Sequence, residues 1–259
     1  MLPFEIMADP TPSHTLQSLS GKTVLITGAS AGIGWHTALA FARHGANLVL
    51  TARRADRLEA LVKEIEALGV MAVFHAGDAA DNAVAEATVA LALKSFSRLD
   101  ILINNAGAGN YKQLVDTSVE EYDQLMNSNM KSTFLFTRHA APHMIERKSG
   151  TIVLISSIAG LQGYANEAVY SATKFAQVGF GQALEAELRP HGIKVETICP
   201  GGVKTEFAIG HGRTEEYVRD SYMMDPAEFA ETVVFACHQP ANVRIVQMTV
   251  RHMGEPPKK

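Results

Sequence analysis

Tyr170 and Lys174 stand four residues apart in a stretch, from Glu167 onward, that is rich in helix formers. On a helix that spacing puts both side chains on one face, so a phenol and an ammonium can point into the same cavity. An unperturbed phenol has a pKa near ~10, and a fixed cation beside it favours the phenolate. Lys174 is expected to act as that cation and to bring Tyr170 down by a few pH units. Upstream, the apolar run Ile152-Val-Leu-Ile155 ends in Ser156-Ser157 and delivers a hydroxyl. Hydride transfer to or from a carbonyl needs a proton donor or acceptor at the oxygen and a second hydrogen bond to hold it, which Tyr170 and a serine can supply. The pair alone has limited specificity. Six tyrosines and eleven lysines in 259 residues produce this spacing by chance roughly one time in four.

Positioning such groups requires a scaffold, and the chain alternates short apolar runs with longer helical stretches from Lys22 onward. The apolar runs are 23–26, 47–51, 71–75, 101–104, 151–155, 194–198 and 245–250; the helical segments lie near 33–44, 56–68, 81–96, 119–147, 167–189 and 226–237. This alternation predicts an α/β fold, a doubly wound Rossmann-type parallel sheet of about seven strands with helices on both faces. One catalytic domain is expected over residues 21–251, after a flexible N-terminal arm of residues 1–20 and before a C-terminal tail of residues 252–259. Residues 206–224 read as a polar, weakly periodic insertion of the kind that covers a substrate. Within it, Arg213 and Arg219 could engage a carboxylate, although exposed loop arginines are commoner than ligands.

The first predicted strand runs into Thr27-Gly28-Ala-Ser30-Ala-Gly32-Ile33-Gly34, directly before a helical stretch. Glycines there allow a tight turn and let backbone N–H groups and a helix N-terminus approach a pyrophosphate. After the second strand the chain reads Thr51-Ala52-Arg53-Arg54. A carboxylate in this position would accept hydrogen bonds from a ribose 2′-OH and repel a 2′-phosphate, whereas arginines offer planar donor forks to a phosphate. The missing carboxylate and the two arginines together predict NADP(H). Arg53 is the first choice for the phosphate and Arg54 its solvent-facing neighbour.

With these motifs the chain resembles the short-chain dehydrogenase/reductase family, over about residues 19–250. The glycine pattern of residues 27–34, Asn104-Asn105-Ala106-Gly107, Asn129, the set Ser157, Tyr170 and Lys174, and Pro200-Gly201-Gly-Val203-Lys-Thr205 occur in the family's order. The resemblance implies that Ser157, thirteen residues before Tyr170, is the active-site serine, with Ser156 left to packing. It implies that Asn129 props a water chain leading to Lys174, and that Lys174 also holds the nicotinamide ribose. It further implies that Asn104 and Gly107 line the cofactor while Asn105 is structural, that Asp78 reaches the adenine unless it serves as a turn residue before the helix from Asp81, and that Val203 and Thr205 anchor the carboxamide. The sequence is most similar to the NADP-dependent branch acting on serine and other 3-hydroxy acids. In relatives, the helix from Glu167 and the one before it pair across a two-fold axis, which implies a homodimer or homotetramer. Small residues at Ala172, Ala176, Gly179, Gly181 and Ala183 would allow that approach, but packing on the chain's own sheet would explain the same residues.

The expected activity is interconversion of a secondary alcohol, of which a 3-hydroxy acid or short-chain hydroxy compound is the narrower expectation, with its carbonyl partner. The alternative is a non-catalytic NADP(H)-binding regulator or scaffold. A net charge of −4 and the lack of a basic run argue against nucleic acid as a partner, and no apolar run approaches the ~18 residues of a membrane span. Residues 1–20 hold no basic residue and do not resemble an export signal, so a cytoplasmic protein is expected. Two cysteines, Cys199 and Cys237, and ten scattered histidines suggest reduced thiols and no catalytic metal.

Overall fold

The structure is a computed structural model and describes residues 15–255. Seven parallel strands form one sheet: β1 (Thr23–Thr27), β2 (Asn47–Ala52), β3 (Ala72–Ala76), β4 (Ile101–Asn104), β5 (Gly150–Ile155), β6 (Ile193–Pro200) and β7 (Gln247–Val250), in the order β3-β2-β1-β4-β5-β6-β7. The helices are α1 (Gly32–Arg43), α2 (Ala55–Glu66), α3 (Asn82–Phe96), α4 (Val119–Met126), α5 (Ser132–Arg147), α6 (Ala168–Leu188), α7 (Glu215–Asp220) and α8 (Pro226–Cys237).

The inner strands β1, β2, β4 and β5 carry apolar residues on both faces, and the period-two alternation of side chains divides them between two cores, whereas the edge strand β7 exposes Gln247 and Thr249. Val24, Ile26, Leu48, Leu50, Ile101, Ile103, Val153 and Ile155 join α1, α2 and α8 on one face. Leu25, Val49, Leu102, Ile152 and Leu154 join α3, α5 and α6 on the other. The strand order reverses between β1 and β4, which run side by side in parallel. In such sheets the crevice at this switch point, outside the carboxyl ends of the strands, is where ligands bind. Residues 28–34 leave β1 at this end, and residues 105–107 leave β4 there.

The predicted helix over 119–147 is interrupted. Ser118 caps α4 in a reciprocal arrangement with Glu121, but residues Asn127–Lys131 form a π turn before α5 resumes. The polar triplet Asn127-Ser128-Asn129 therefore does not simply face solvent: Asn129 is fully buried. The insertion at 206–224 contains one short helix, α7, capped by Thr214.

The first fourteen residues of the expected N-terminal arm lie outside the described residues, as do residues 256–259 of the expected tail. Of the arm's remaining residues, Thr15, Leu16, Ser18 and Ser20 are exposed, while two others touch the domain. Leu19 is buried in the core, and the Gln17 N–H donates to the His238 carbonyl at 2.7 Å. Among the small residues of α6, Gly181 packs on the chain's own sheet, where an added Cβ would meet Leu154 Cδ1 at 2.9 Å. Gly179 faces open space. No helix among the described residues is long and apolar enough to cross a membrane.

Candidate active site

A cleft of about 980 Å³ opens at the switch point, reaching from Arg53 and Asp78 at one end to Tyr111 and Arg213 at the other. Gly28, Ser30, Gly32, Ile33, Arg53, Arg54, Asp78, Gly107, Ser157, Tyr170, Lys174, Pro200, Gly201, Val203 and Thr205, all singled out in the sequence, line it. The glycine turn is held from below. The Asn105 side chain donates to the Thr27 and Gly28 carbonyls at 2.9 and 3.2 Å, and a Cβ on Gly28, whose φ is +67°, would lie 2.9 Å from Ala106 Cα. A side chain there is excluded both by the left-handed backbone and by the neighbouring strand end.

Two assignments from the sequence shift. Gly34 does not line the cleft; a Cβ there would sit 2.6 Å from Asn105 Nδ2, so its smallness serves the close approach of α1 to the turn. Asn104 does not line it either. It shares a sheet face with Leu102, and its amide donates to Thr137 Oγ1 on α5 at 3.0 Å. A side chain on that face points beneath α5 rather than out of the strand end.

Arg54 is exposed, as expected of a solvent-facing neighbour, and is also tied to two other segments. Its Nε and Nη2 reach Ser30 Oγ at 3.2 and 3.1 Å, and the same Nη2 pairs with Glu206. It thus ties the glycine turn to the insertion. Arg53 is exposed at the cleft, and no carboxylate pairs with it among the described residues. Asp78 Oδ1 accepts from Ala80 N at 2.9 Å, while the cap of α3 is Asp81.

At the other end, strand β5 delivers the serines and α6 delivers Tyr170 and Lys174. Ser156 Oγ donates to the Lys174 carbonyl at 3.1 Å, a packing contact, whereas Ser157 Oγ accepts from Ala159 N at 3.1 Å at the mouth of the cleft. Burial pushes Tyr170 up to about 12, with a hydrogen bond from Ser157 and the charge of Arg213 pulling it back and Glu167 opposing them. The expected net lowering by Lys174 is therefore not what this geometry produces. The Lys174 Nζ lies 5.8 Å from the Tyr170 ring centre and donates instead to the Ile155 carbonyl at 3.0 Å and to Gln177 Oε1 at 2.9 Å. Burial also brings Lys174 itself down to about 8. Desolvation disfavours the charged form of each group, phenolate and ammonium, and is the largest cause of both shifts.

Asn129 lies behind Gly107 and not on the cleft surface. Its Oδ1 accepts from Ala108 N at 2.7 Å, and its Nδ2 donates to the Ala108 carbonyl and to Thr173 Oγ1 at 3.0 and 2.8 Å. It therefore fastens the strand β4 loop to α6. Gln177, which sequence reasoning passed over, completes the cluster from the next turn of α6. Its signal was available: with Tyr170 and Lys174 it makes an i, i+4, i+7 face, and a glutamine among apolar and small residues is conspicuous there. The substrate end is walled by Tyr111 and Phe207, whose ring centres lie 5.7 and 5.9 Å from that of Tyr170.

Comparison with known proteins agrees with this geometry. A family model described as short chain dehydrogenase matches residues 22–216. Oxidoreductase UcpA of Salmonella typhimurium is 40% identical over 209 residues, which cover 80% of this chain and 77% of that protein. An alcohol dehydrogenase from the archaeon Thermococcus sibiricus, solved in complex with 5-hydroxy-NADP, superposes with a TM-score of 0.84 at 28% identity, covering 92% of this chain and 99% of its own. The closed form of a serine dehydrogenase complexed with NADP+ gives a TM-score of 0.82 at 32% identity, covering 88% and 94% respectively. With a family model matching residues 22–216 and a relative 40% identical over 80% of its length, this chain belongs to the short-chain dehydrogenase family.

Proposed function

We propose that the protein is an NADP(H)-dependent oxidoreductase that interconverts a secondary alcohol and its carbonyl. The observation that carries this reading is the meeting of Ser157, Tyr170 and Lys174 at one end of a cleft whose other end presents, beside a glycine turn, an arginine that pairs with no carboxylate among the described residues. The cleft suits the cofactor: the turn leaves room only for backbone, and Arg53 offers an exposed planar fork where a 2′-phosphate would lie. NADP(H) supplies the hydride acceptor or donor when bound. The solved relatives complexed with 5-hydroxy-NADP and NADP+ support the same choice over NAD(H).

The remaining chemistry belongs to side chains. A phenol that stays protonated, as Tyr170 does under burial, is ready to give its proton to a carbonyl oxygen in reduction, and Ser157 holds that oxygen by a second hydrogen bond. Lys174 binds the cofactor ribose and presents its charge to the phenolate formed after transfer. Asn129 braces the loop and helix that carry these groups. A retained Ser157, Tyr170 and Lys174 set argues against the non-catalytic alternative.

A small hydroxy acid is the substrate class we favour, because Arg213 lines the Tyr170 end of the cleft. Its guanidinium carbon lies 4.8 Å from the Tyr111 ring centre and 5.7 Å from that of Phe207, and it pairs with no carboxylate among the described residues. Arg219, by contrast, is exposed and bonded to Asp220. The test is NADPH oxidation against a panel of carbonyl compounds, repeated with NADH, in the wild type and in Tyr170→Phe. The expected result is preference for NADPH, narrowed by Arg53→Ala, and loss of turnover in Tyr170→Phe with NADPH affinity kept. Turnover retained by Tyr170→Phe, or better rates with NADH, would overturn the corresponding part of the reading.

A further inference from the structure

Gln177 is fully buried on α6, two turns after Tyr170 and one after Lys174. Its Oε1 accepts from Lys174 Nζ at 2.9 Å, and its Nε2 donates to the Asn129 carbonyl at 3.0 Å and to Thr133 Oγ1 at 2.8 Å. Thr133 Oγ1 donates in turn to the same Asn129 carbonyl at 2.8 Å. Every polar atom of the amide is therefore used. Its orientation is settled by chemistry, since the flipped amide would set N–H groups against an ammonium and an oxygen against a carbonyl. The contact joins α6 to the π turn Asn127–Lys131, the one irregular piece of the helical stretch that backs the cleft.

We propose that Gln177 is a positioning residue for Lys174, holding the ammonium against the Asn129 carbonyl side of the site so that its remaining N–H is directed to the cleft. This rests on the oxidoreductase reading above. An ammonium has three N–H donors; the Ile155 carbonyl and Gln177 take two of them, which leaves one for the ribose or the phenolate. Both acceptors favour the charged form and so oppose the burial that disfavours it. An amide neither takes on nor gives up a proton near neutral pH. Gln177 therefore fixes the lysine without itself taking up or releasing a proton.

The test compares Gln177→Leu and Gln177→Glu with the wild type by two readouts: the pH profile of kcat with NADPH and a carbonyl substrate, and the titration of the Lys174 ammonium in the free protein by nitrogen NMR on lysine-labelled samples. In Gln177→Leu the lysine is expected to titrate about one pH unit or more lower, the cost of losing one charge-assisted acceptor. The matching limb of the profile should move with it, and kcat should fall about tenfold while KM for the carbonyl changes little. In Gln177→Glu the lysine should titrate higher than in the wild type. Opposite displacements are what a merely structural residue would not produce. An unmoved lysine titration in folded Gln177→Leu overturns the proposal, and should that variant fail to fold, a Gln177→Glu titration that is unchanged or lower does so. If the wild type oxidises NADPH with no carbonyl, the functional reading fails, yet the NMR titration still decides the role of Gln177.

Discussion

Replacing Arg213 by leucine should separate charged from neutral substrates. The side chain is half-buried, with its guanidinium carbon over the Tyr111 ring and Phe207 alongside, and no carboxylate pairs with it among the described residues. A carboxylate there would receive charge-assisted, bidentate hydrogen bonds, the stronger kind. For a partly exposed site we take about 2–3 kcal/mol for the pair, which corresponds to roughly 30–150-fold in kcat/KM. The assay is steady-state reduction of a short oxo acid and of its methyl ester by wild type, Arg213→Leu and Arg213→Lys. Loss of Arg213 also removes a charge that pulls on Tyr170, but that effect falls on acid and ester alike and cancels in their ratio. The acid-to-ester ratio should drop by that factor in Arg213→Leu, chiefly through KM, and by less in Arg213→Lys, which keeps the charge without the fork. Equal losses on both substrates, or no loss on either, would refute the assignment of Arg213 to a carboxylate. An added amino group on the acid gives a further arm, because Glu167 also acts electrostatically on Tyr170 and Arg213; a gain with the amino acid would point to Glu167 as its partner.

Two other expectations concern the scaffold. Glu196 is fully buried on β6, accepts among the described residues only a long 3.5 Å bond from Ile245 N through one oxygen, and is pushed by burial up to about 7, with that bond and Lys194 pulling the other way. Its folded form therefore binds a proton more readily than the unfolded chain, so stability falls as pH rises from about 4.5 to 7 and the penalty persists above that window. Glu196→Gln should raise the melting temperature at pH 8, by the equivalent of roughly 1–3 kcal/mol, and leave it nearly unchanged at pH 4.5; an equal effect at both pH values would contradict this. The second concerns assembly. Ala172, Phe175, Gly179 and Ala183 form an exposed stripe on α6, and Phe134 is exposed on α5, which we propose as the surface that pairs with a second copy. Light scattering should give a dimer or tetramer mass that Gly179→Arg reduces; a monomeric wild type would remove the basis for the pairing.

The layered sheet was legible along the chain because its signals are local. Two-residue and helical periodicities, a glycine turn after the first strand and the four-residue spacing of Tyr170 and Lys174 all act within a few neighbours, and each strand was found within about two residues of its expected place. The approach of Ser157 to Tyr170 followed from the order of those elements. What the chain alone did not disclose lies in contacts between distant segments. Arg54 crosses 152 residues to Glu206, and Gln177 crosses 48 to the Asn129 carbonyl, which a π turn rather than a regular helix presents. Asn104 sat in a matching motif, yet strand alternation directed it beneath α5. The largest difference is electrostatic. A pair of residue types suggests a cation lowering a phenol, but whether attraction or desolvation prevails depends on depth and distance, and folding alone assigned those to Tyr170 and Lys174.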